Sequence, residues 1–526
     1  MIRKEATKAY LEKELDSFTW MKKLAREDLM REFRGWKVRP EFKTDPWIHQ
    51  LVCFYIGVCY PQFLFLLDMG LGKTKILLDI MTQRRRERKL TRSLIAVPRL
   101  INLGSWEDAI REHSDFEPVI VSGTSAAEKW EALYNPYRRG GQVVVVDYAG
   151  LQYSLSKKGT KNSNTGKAKM HPDPAKIRTL ARHYDFFGMD ESHKAKNRES
   201  LRFQLLNALT KNMPARYATT GTLFGRNPED LFAQFFLVDR GETFGDTLGL
   251  FRSAFFVEKA NHWKAYPDYV FNKGMTRALY RRLQHRSIRY DEDECLDLPE
   301  RREIRVACKF ADEQREHYLR AVEGLINARG KLQELDSNFL RMRQIVAGFL
   351  QWKDGHGQHE VTFSQVPKLD QLERLITESG DSKVVVSHEY TRSGELITER
   401  LKEMGVKYEW LYGGSRDPIN AVRRFTSDLD CKVFLMNSEA GGTGTDGLQK
   451  VARYLIFYES PVSPITRKQV VKRIHRPGQG RRSFIYDLVV EKSIDLRILG
   501  MIAEGRDLHN AVVDGTEDLR KLRLID

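Results

Sequence analysis

Eleven short apolar runs, separated by stretches of helical periodicity, constrain this chain more than any other feature. The first series is FLFLL (63–67), SLIAV (93–97), PVIV (118–121), VVVV (143–146), FFGMD (186–190) and RYATT (216–220). The second is KVVVS (383–387), YEWLY (408–412), KVFLMN (432–437), RYLIFY (453–458) and FIYDLV (484–489). A strand with one wet face alternates polar and apolar residues. Runs this uniformly apolar are wet on neither face, so each series predicts a mostly parallel sheet covered by helices on both sides. The expected fold class is α/β with two tandem lobes. No short-period repeat is present, which excludes a solenoid. Ligands of such sheets gather at the carboxyl ends of the strands.

The first run leads directly into a candidate site. In FLFLLDMGLGKTKILLDI (63–80) a strand breaks at Gly70-Leu71-Gly72-Lys73-Thr74 and a helix follows. That order aims several backbone N–H groups and the positive end of a helix dipole at one point, which suits phosphate. Glycines let the backbone wrap closely. Lys73 is placed to reach the outer phosphates and Thr74 to ligate Mg²⁺. The usual pattern has glycine five places before the Gly-Lys pair, where this chain has Leu67. An ordinary turn between strand and helix is the bland alternative.

Two further constellations sit at strand ends or beyond. Asp190 and Glu191 close the FFGMD run, where one carboxylate can hold Mg²⁺ and its neighbour can orient or deprotonate water. Such a pair can also serve merely as a helix cap. In QVVKRIHRPGQ (469–479), Arg473 and Arg476 are three apart and are expected on one face of a helix. Guanidinium groups there suit developing phosphate charge, although Arg-rich helices usually face solvent.

Charge selects the partner class. Lys plus Arg number 87 against 71 Asp plus Glu, a net +16, with a sequence pI near 9.4. An anionic polymer is favoured, and nucleic acid over a membrane surface because no strongly apolar amphipathic helix accompanies the charge. No run approaches the ~18 apolar residues of a membrane span, and the charged start MIRKEATKAYLEKELDSF carries no secretory signal. Cys53, Cys59, Cys295, Cys308 and Cys431 form no close pair, so a reducing cytoplasmic setting without structural zinc is expected.

The remaining segments divide the chain. Residues 1–45 read as a charged helical accessory with Leu11, Leu15, Trp20, Leu24 and Leu29 at near-helical spacing. The first lobe is expected over 46–298, interrupted by a mobile basic loop at 154–173 and a helical insertion at 226–298. The loop is either a solvated insertion or a DNA-touching element. A linker with helical insertion follows over 299–366, then the second lobe over 367–526.

The ordered set DMGLGKT (68–74), LIAVPRLINLGSWEDAI (94–110), DESHKAKN (190–197), TTGTLFGRNPEDLF (219–232), LRMRQIVAGFL (340–350), NSEAGGTGTDGLQKVARYLIFYESP (437–461) and QVVKRIHRPGQ resembles the superfamily-two helicases, and within them the Swi/Snf-type DNA translocases. The resemblance spans about residues 47–500 and implies two RecA-like lobes, ATP and Mg²⁺ as ligands, and a nucleic-acid-dependent ATPase. It implies that Gln50 recognises adenine, that Leu67, Asp68, Met69, Gly70, Leu71, Gly72, Lys73 and Thr74 form the phosphate loop, and that Thr74 and Asp190 hold the metal. Glu191 would serve the hydrolytic water. Arg473 and Arg476 would complete the site from the second lobe with Gln479 nearby, and Thr220-Gly221-Thr222 would couple it to nucleic acid. Arg99, Tyr148, Thr222, Ser387, His388, Gly442 and Thr443 fall where such proteins touch the DNA backbone, together with Pro98, Asp147, Gly441 and Gly444. Contacts of that kind grip phosphates without reading bases.

Leu223, Thr443, Thr445 and Asp446 depart from the family pattern, and the tryptophan often found before the arginine motif is missing from ESPVSPITRKQ. These departures leave the hydrolytic set intact and fall where hydrolysis is coupled to movement. Chromatin-reader modules are absent, and the compact length argues against a nucleosome remodeller. The expected function is an ATP-dependent translocase on duplex or branched DNA, with branch migration or fork remodelling as uses. The rivals are an RNA-dependent helicase, a DNA-binding scaffold whose ATP site is degenerate, and the motor subunit of a restriction or repair complex.

Overall fold

A computed structural model describes residues 10–13, 15–123, 125–136, 142–161, 168–221, 228–259, 268–296, 298–327, 332–354, 357–415, 417–441 and 447–504. The chain divides into two compact units, Met1–Leu296 and Asp297–Asp526.

In the first unit, seven strands form one sheet: β1 (Gln62–Leu67), β2 (Ser93–Val97), β3 (Pro118–Val121), β4 (Val143–Asp147), β5 (Phe186–Asp190), β6 (Ala215–Thr220) and β7 (Ser287–Tyr290). Their spatial order is β7-β1-β6-β5-β2-β4-β3, and every neighbouring pair is parallel. Alternate side chains leave the sheet in opposite directions. Leu64 and Leu66 of β1 therefore join one apolar core with Leu94, Val144 and Phe187. Phe63, Phe65 and Leu67 join the other with Ile95, Val145 and Phe186. Helices α1 (Ile48–Cys59) and α2 (Lys73–Arg86) pack into the second of these cores. Because all strands run one way, Leu67, Val97, Asp147, Asp190 and Thr220 end at the same edge.

Strand β7 was expected inside a helical insertion. It is an edge strand whose SIRY sequence carries the exposed Arg289, so it lacks the uniform apolar signature of a central strand. The 154–173 stretch also differs from the expected loop. It carries an antiparallel ribbon with arms Ser156–Lys161 and Ala168–Pro172. The amino-terminal segment is not one continuous helix: a 3₁₀ turn spans Thr19–Lys23 and a helix spans Arg26–Arg34. It packs through Phe18, Met21, Leu29 and Phe33, whereas Trp20 is 61% exposed.

The second unit repeats the architecture with β8 (Arg301–Cys308), β9 (Lys383–His388), β10 (Tyr408–Leu411), β11 (Val433–Asn437), β12 (Ala452–Phe457) and β13 (Ser483–Val490) in the order β8-β13-β12-β9-β11-β10. All pairings within this six-stranded sheet are parallel. Strand β8, expected within a linker, is an edge strand of alternating exposure rich in arginine. Among the described residues, no helix is long and apolar enough to cross a membrane.

Candidate functional site

At the carboxyl end of β1 the chain turns through Gly70 (φ +89°) and Gly72 (φ +76°), and α2 starts at Lys73. Both φ values lie in the left-handed region that glycine enters without steric cost. A Cβ on Gly72 would stand 2.2 Å from Gln50 Nε2. The Gln50 amide thus packs directly on the Gly72 backbone, where no larger residue fits. The Leu71 carbonyl is held from below by Gln50 Nε2 at 3.2 Å and His49 Nε2 at 2.9 Å. Burial lowers the His49 pKa, which keeps its ring neutral. Gln50 Oε1 accepts from the Trp47 N–H at 2.9 Å, so both ends of this buried amide are engaged in shaping the loop. Leu67 and Asp68 are buried, and Met69 is half-buried. Asp68 accepts weakly from the Glu292 N–H at 3.4 Å, tying the loop to the segment after β7.

Lys73 and Thr74 open α2 and are half-buried. The Lys73 ammonium donates to Glu191 Oε1 at 2.9 Å, with side chains only 12% and 10% exposed. Glu191 Oε2 accepts from Thr220 Oγ1 at 3.1 Å and lies 3.2 Å from His193 Nδ1. Burial alone would raise the Glu191 pKa, but the Lys73 charge and the His193 contact hold its carboxyl well below the usual range. Its neighbour behaves oppositely. Burial, reinforced by the Glu191 charge, raises the Asp190 pKa despite donations from Trp106 Nε1 to Oδ2 and from Thr219 Oγ1 to Oδ1, both at 3.1 Å. The pKa values of the two adjacent carboxylates thus shift in opposite directions. Glu191 adopts φ 48°, ψ 58°, a left-handed conformation uncommon outside glycine. A Cβ on Gly221 would meet the Leu67 carbonyl at 3.1 Å and Lys73 Nζ at 3.7 Å, so the turn after β6 lies against the loop.

These side chains fit a nucleotide with a divalent ion. Among the described residues, no group of three or more His, Cys, Asp or Glu could hold a metal unaided. An ion beside Asp190 and Thr74 would therefore take most of its ligands from phosphate and water, as Mg²⁺ commonly does.

Trp106, Thr219 and His193 were not singled out from sequence. The first lies inside the quoted LIAVPRLINLGSWEDAI motif on helix α3 (Ile101–His113), where a tryptophan reads simply as core.

The residues expected at the DNA backbone are placed unevenly. Arg99 is half-buried at the carboxyl end of β2, its N–H donating to Asn102 Oδ1 at 3.2 Å. Tyr148, 1% exposed, opens helix α4 (Tyr148–Leu155) and donates its hydroxyl to the Asp190 carbonyl at 2.9 Å. Its side chain supports the acidic pair and does not face a ligand. Ser387 and His388 are fully buried. Ser387 Oγ contacts Ser438 Oγ at 2.7 Å. His388 Nδ1 lies 2.9 Å from the Tyr390 carbonyl and Nε2 accepts from Trp410 Nε1 at 3.0 Å. Burial pushes the His388 pKa down to about 4, so the neutral ring is a packing element. Strand ends near a ligand need such supports, and sequence position alone does not separate support from contact. Thr222, Gly442 and Thr443 lie outside the described residues.

The arginine motif also differs from expectation. Helix α5 (Pro464–Val471) stops before Arg473, and residues 472–478 form turns closed by Pro477 and Gly478 (φ +91°). Pro477 cannot donate to a helical ladder and Gly478 enters the left-handed region, so these turns do not resume a helix through Arg476. Arg473 is buried and Arg476 half-buried. Gln479 is structural: Nε2 donates to the carbonyls of Ala452 at 2.9 Å and Ile474 at 3.1 Å.

Comparison with known proteins adds relatives. The chain is similar to the chromatin-remodeling ATPase INO80 of Emericella nidulans, 31% identical over 153 residues that make up 29% of this chain and 9% of that protein. It is similar to the CHD3-type chromatin-remodeling factor PICKLE of Arabidopsis thaliana, 22% identical over 470 residues, 85% of this chain and 32% of that protein. The match thus spans less than a third of these relatives in the first case and about a third in the second. A solved Sulfolobus solfataricus SWI2/SNF2 ATPase core in complex with dsDNA aligns over 93% of this chain and 98% of its own at 19% identity, with a TM-score of 0.39. A helicase conserved C-terminal domain matches residues 367–478. The SNF2-related domain matches residues 16–372, well over half of the 526, and the chain belongs to that family.

Proposed function

We propose that this protein is an ATP-dependent translocase on duplex DNA. The observation that carries the reading is the Lys73–Glu191 pair, joined at 2.9 Å against a glycine loop and beside the half-buried Asp190. Membership of the SNF2-related family and relatives named as ATPases support it. The net charge of +16 supports a polyanionic track gripped through its phosphates.

In this mechanism the loop N–H groups and Lys73 bind the outer phosphates. Thr74 and Asp190 would hold Mg²⁺, which would supply charge neutralisation at the phosphate oxygens. Glu191 is kept ionised and takes a proton from the attacking water, whose oxygen bonds to the terminal phosphorus as the bond to the leaving diphosphate oxygen breaks. Thr220 and His193 hold the second Glu191 oxygen and fix its orientation. Trp106 and Thr219 hold Asp190 in the same way. Arg473 and Arg476 answer the charge that develops on the transferred group. Alternating grip on one strand's phosphates converts this cycle into stepping. Branch migration or fork remodelling is the use assigned to it.

The test is ATP turnover measured with single-stranded, duplex, forked and four-way DNA and with RNA at stated salt. Duplex or branched DNA is expected to stimulate turnover, and Lys73→Ala, Glu191→Gln and Arg476→Ala each to abolish the stimulated rate. Stimulation by RNA alone, or turnover indifferent to these substitutions, overturns the reading.

A further inference from the structure

Among the described residues, three two-stranded ribbons stand apart from the two large sheets, and two of them carry complementary pairs across their strands. In the ribbon of Phe256–Lys259 with Asp268–Phe271, Lys259 faces Asp268, and Tyr269 donates to Glu258 at 3.3 Å. In the ribbon of Phe349–Asp354 with Gly357–Thr362, Gln351 donates to Glu360 at 2.6 Å and Trp352 stacks on His359 with centroids 5.1 Å apart. The third ribbon has no such partners. Lys157 faces His171 and Lys158 faces Met170. Lys157, Lys158 and His171 are exposed, and among the described residues neither lysine has a carboxylate partner. From Ser154 to Pro172 the sequence holds Lys157, Lys158, Lys161, Lys167 and Lys169 and no acidic residue.

An isolated two-stranded ribbon is marginal in water, and here no cross-strand pair of opposite charge supports it. This ribbon is nevertheless firmly footed. The Asp173 N–H donates to the Leu155 carbonyl at 2.8 Å, and Lys176 Nζ donates to the Ser154 carbonyl at 3.2 Å. Asp173 caps the following helix through the N–H groups of Ala175 and Lys176. The ribbon also continues directly from α4, whose first residue, Tyr148, is bonded to the Asp190 carbonyl. Tyr153, four residues before Lys157, is 52% exposed at this foot.

We propose that the ribbon of Ser156–Lys161 with Ala168–Pro172 is a duplex-DNA contact, Lys157 and Lys158 lying against the phosphates that supply the counter-charge missing beside them. The inference rests on the translocase reading and extends it to a surface outside the nucleotide site. A two-stranded ribbon is narrow enough to enter a major groove. Lysine contacts to phosphate position a protein on the duplex without selecting sequence.

The measurement is fluorescence anisotropy of a labelled duplex titrated with the full chain between about 50 and 200 mM salt. Each neutralised phosphate contributes about 0.9 to the slope of log affinity against log salt, so Lys157→Gln/Lys158→Gln is expected to lower the slope by about 2. The same variant should raise the DNA concentration for half-maximal ATPase stimulation and leave DNA-independent turnover unchanged. A control, Lys273→Gln/Lys402→Gln, removes two exposed lysines elsewhere and should leave the slope unchanged. An unaltered slope in the ribbon variant, or an equal fall in the control, overturns the ribbon assignment while the translocase reading stands. Failure of the wild-type chain to bind duplex DNA at all overturns the translocase reading itself.

Discussion

Lys73 Nζ and Glu191 Oε1 lie 2.9 Å apart although they are 118 residues apart in sequence, and the pair is nearly sealed from solvent. Cation and anion thus satisfy each other, and under the proposed mechanism nucleotide binding would replace one anionic partner of the lysine by another. The first prediction follows from that arrangement. Lys73→Ala leaves a buried carboxylate unpaired, a loss on the order of 3 kcal/mol. Adding Glu191→Gln removes the stranded charge and should recover most of that loss. Urea unfolding of the single and double variants checks it; additive losses would contradict the pairing.

Trp106→Phe keeps an aromatic ring and removes the donor to Asp190 Oδ2. Partners that orient a metal-holding carboxylate are commonly worth about 10- to 100-fold in metal affinity or activity. DNA-stimulated turnover should fall within that range, and the Mg²⁺ concentration needed for half-maximal rate should rise. A normal Mg²⁺ titration would show that the bond is incidental.

Tyr148→Phe separates support from contact. Loss of its hydroxyl leaves the Asp190 carbonyl without that donor and should cost about 1–3 kcal/mol of stability. Duplex affinity should not change, because the side chain is buried. A weakened duplex affinity with unaltered stability would restore Tyr148 as a DNA contact.

Glu459 gives the second unit a pH dependence. It is fully buried near the end of β12, accepting from Ser393 Oγ and from the Glu389 N–H at 2.9 Å. Burial, outweighing the Ser393 bond and the Lys368 charge, pushes its pKa up to about 7. A carboxyl whose folded pKa is raised favours folding while protonated. Its contribution is therefore complete below about pH 4.5 and is lost as pH rises to about 7, by up to about 3 kcal/mol. Glu459→Gln should flatten this decline. Unfolding midpoints from pH 5 to 8 for both proteins check it, and parallel curves would refute it.

What could be read from the sequence follows from burial. Strands β1, β2, β4 and β5 are apolar along nearly all their length because both faces are covered, so FLFLL, SLIAV, VVVV and FFGMD announce themselves. Edge strands β7 and β8 carry arginines on an open side and look like anything but sheet. Gly70, Gly72, Lys73, Asp190 and Glu191 were legible because phosphate chemistry needs those residue types in one order. Trp106 and Thr219 were not, since a side chain that orients another has no chemistry of its own to betray it. The arginine-bearing turn was misread as helix because Arg spacing was weighed above Pro477-Gly478, the local signal for termination.

The left-handed backbone at Glu191 has a consequence for how the protein can change. A side chain in that conformation costs about 1–2 kcal/mol relative to glycine, but Glu191→Gly would also strand the Lys73 ammonium, a loss on the order of 3 kcal/mol. The ion pair thus outweighs the strain it sits on, and heat resistance gives position 191 no incentive to become glycine. A library screened only for heat resistance should retain glutamate there; recovery of glycine would show that strain relief wins.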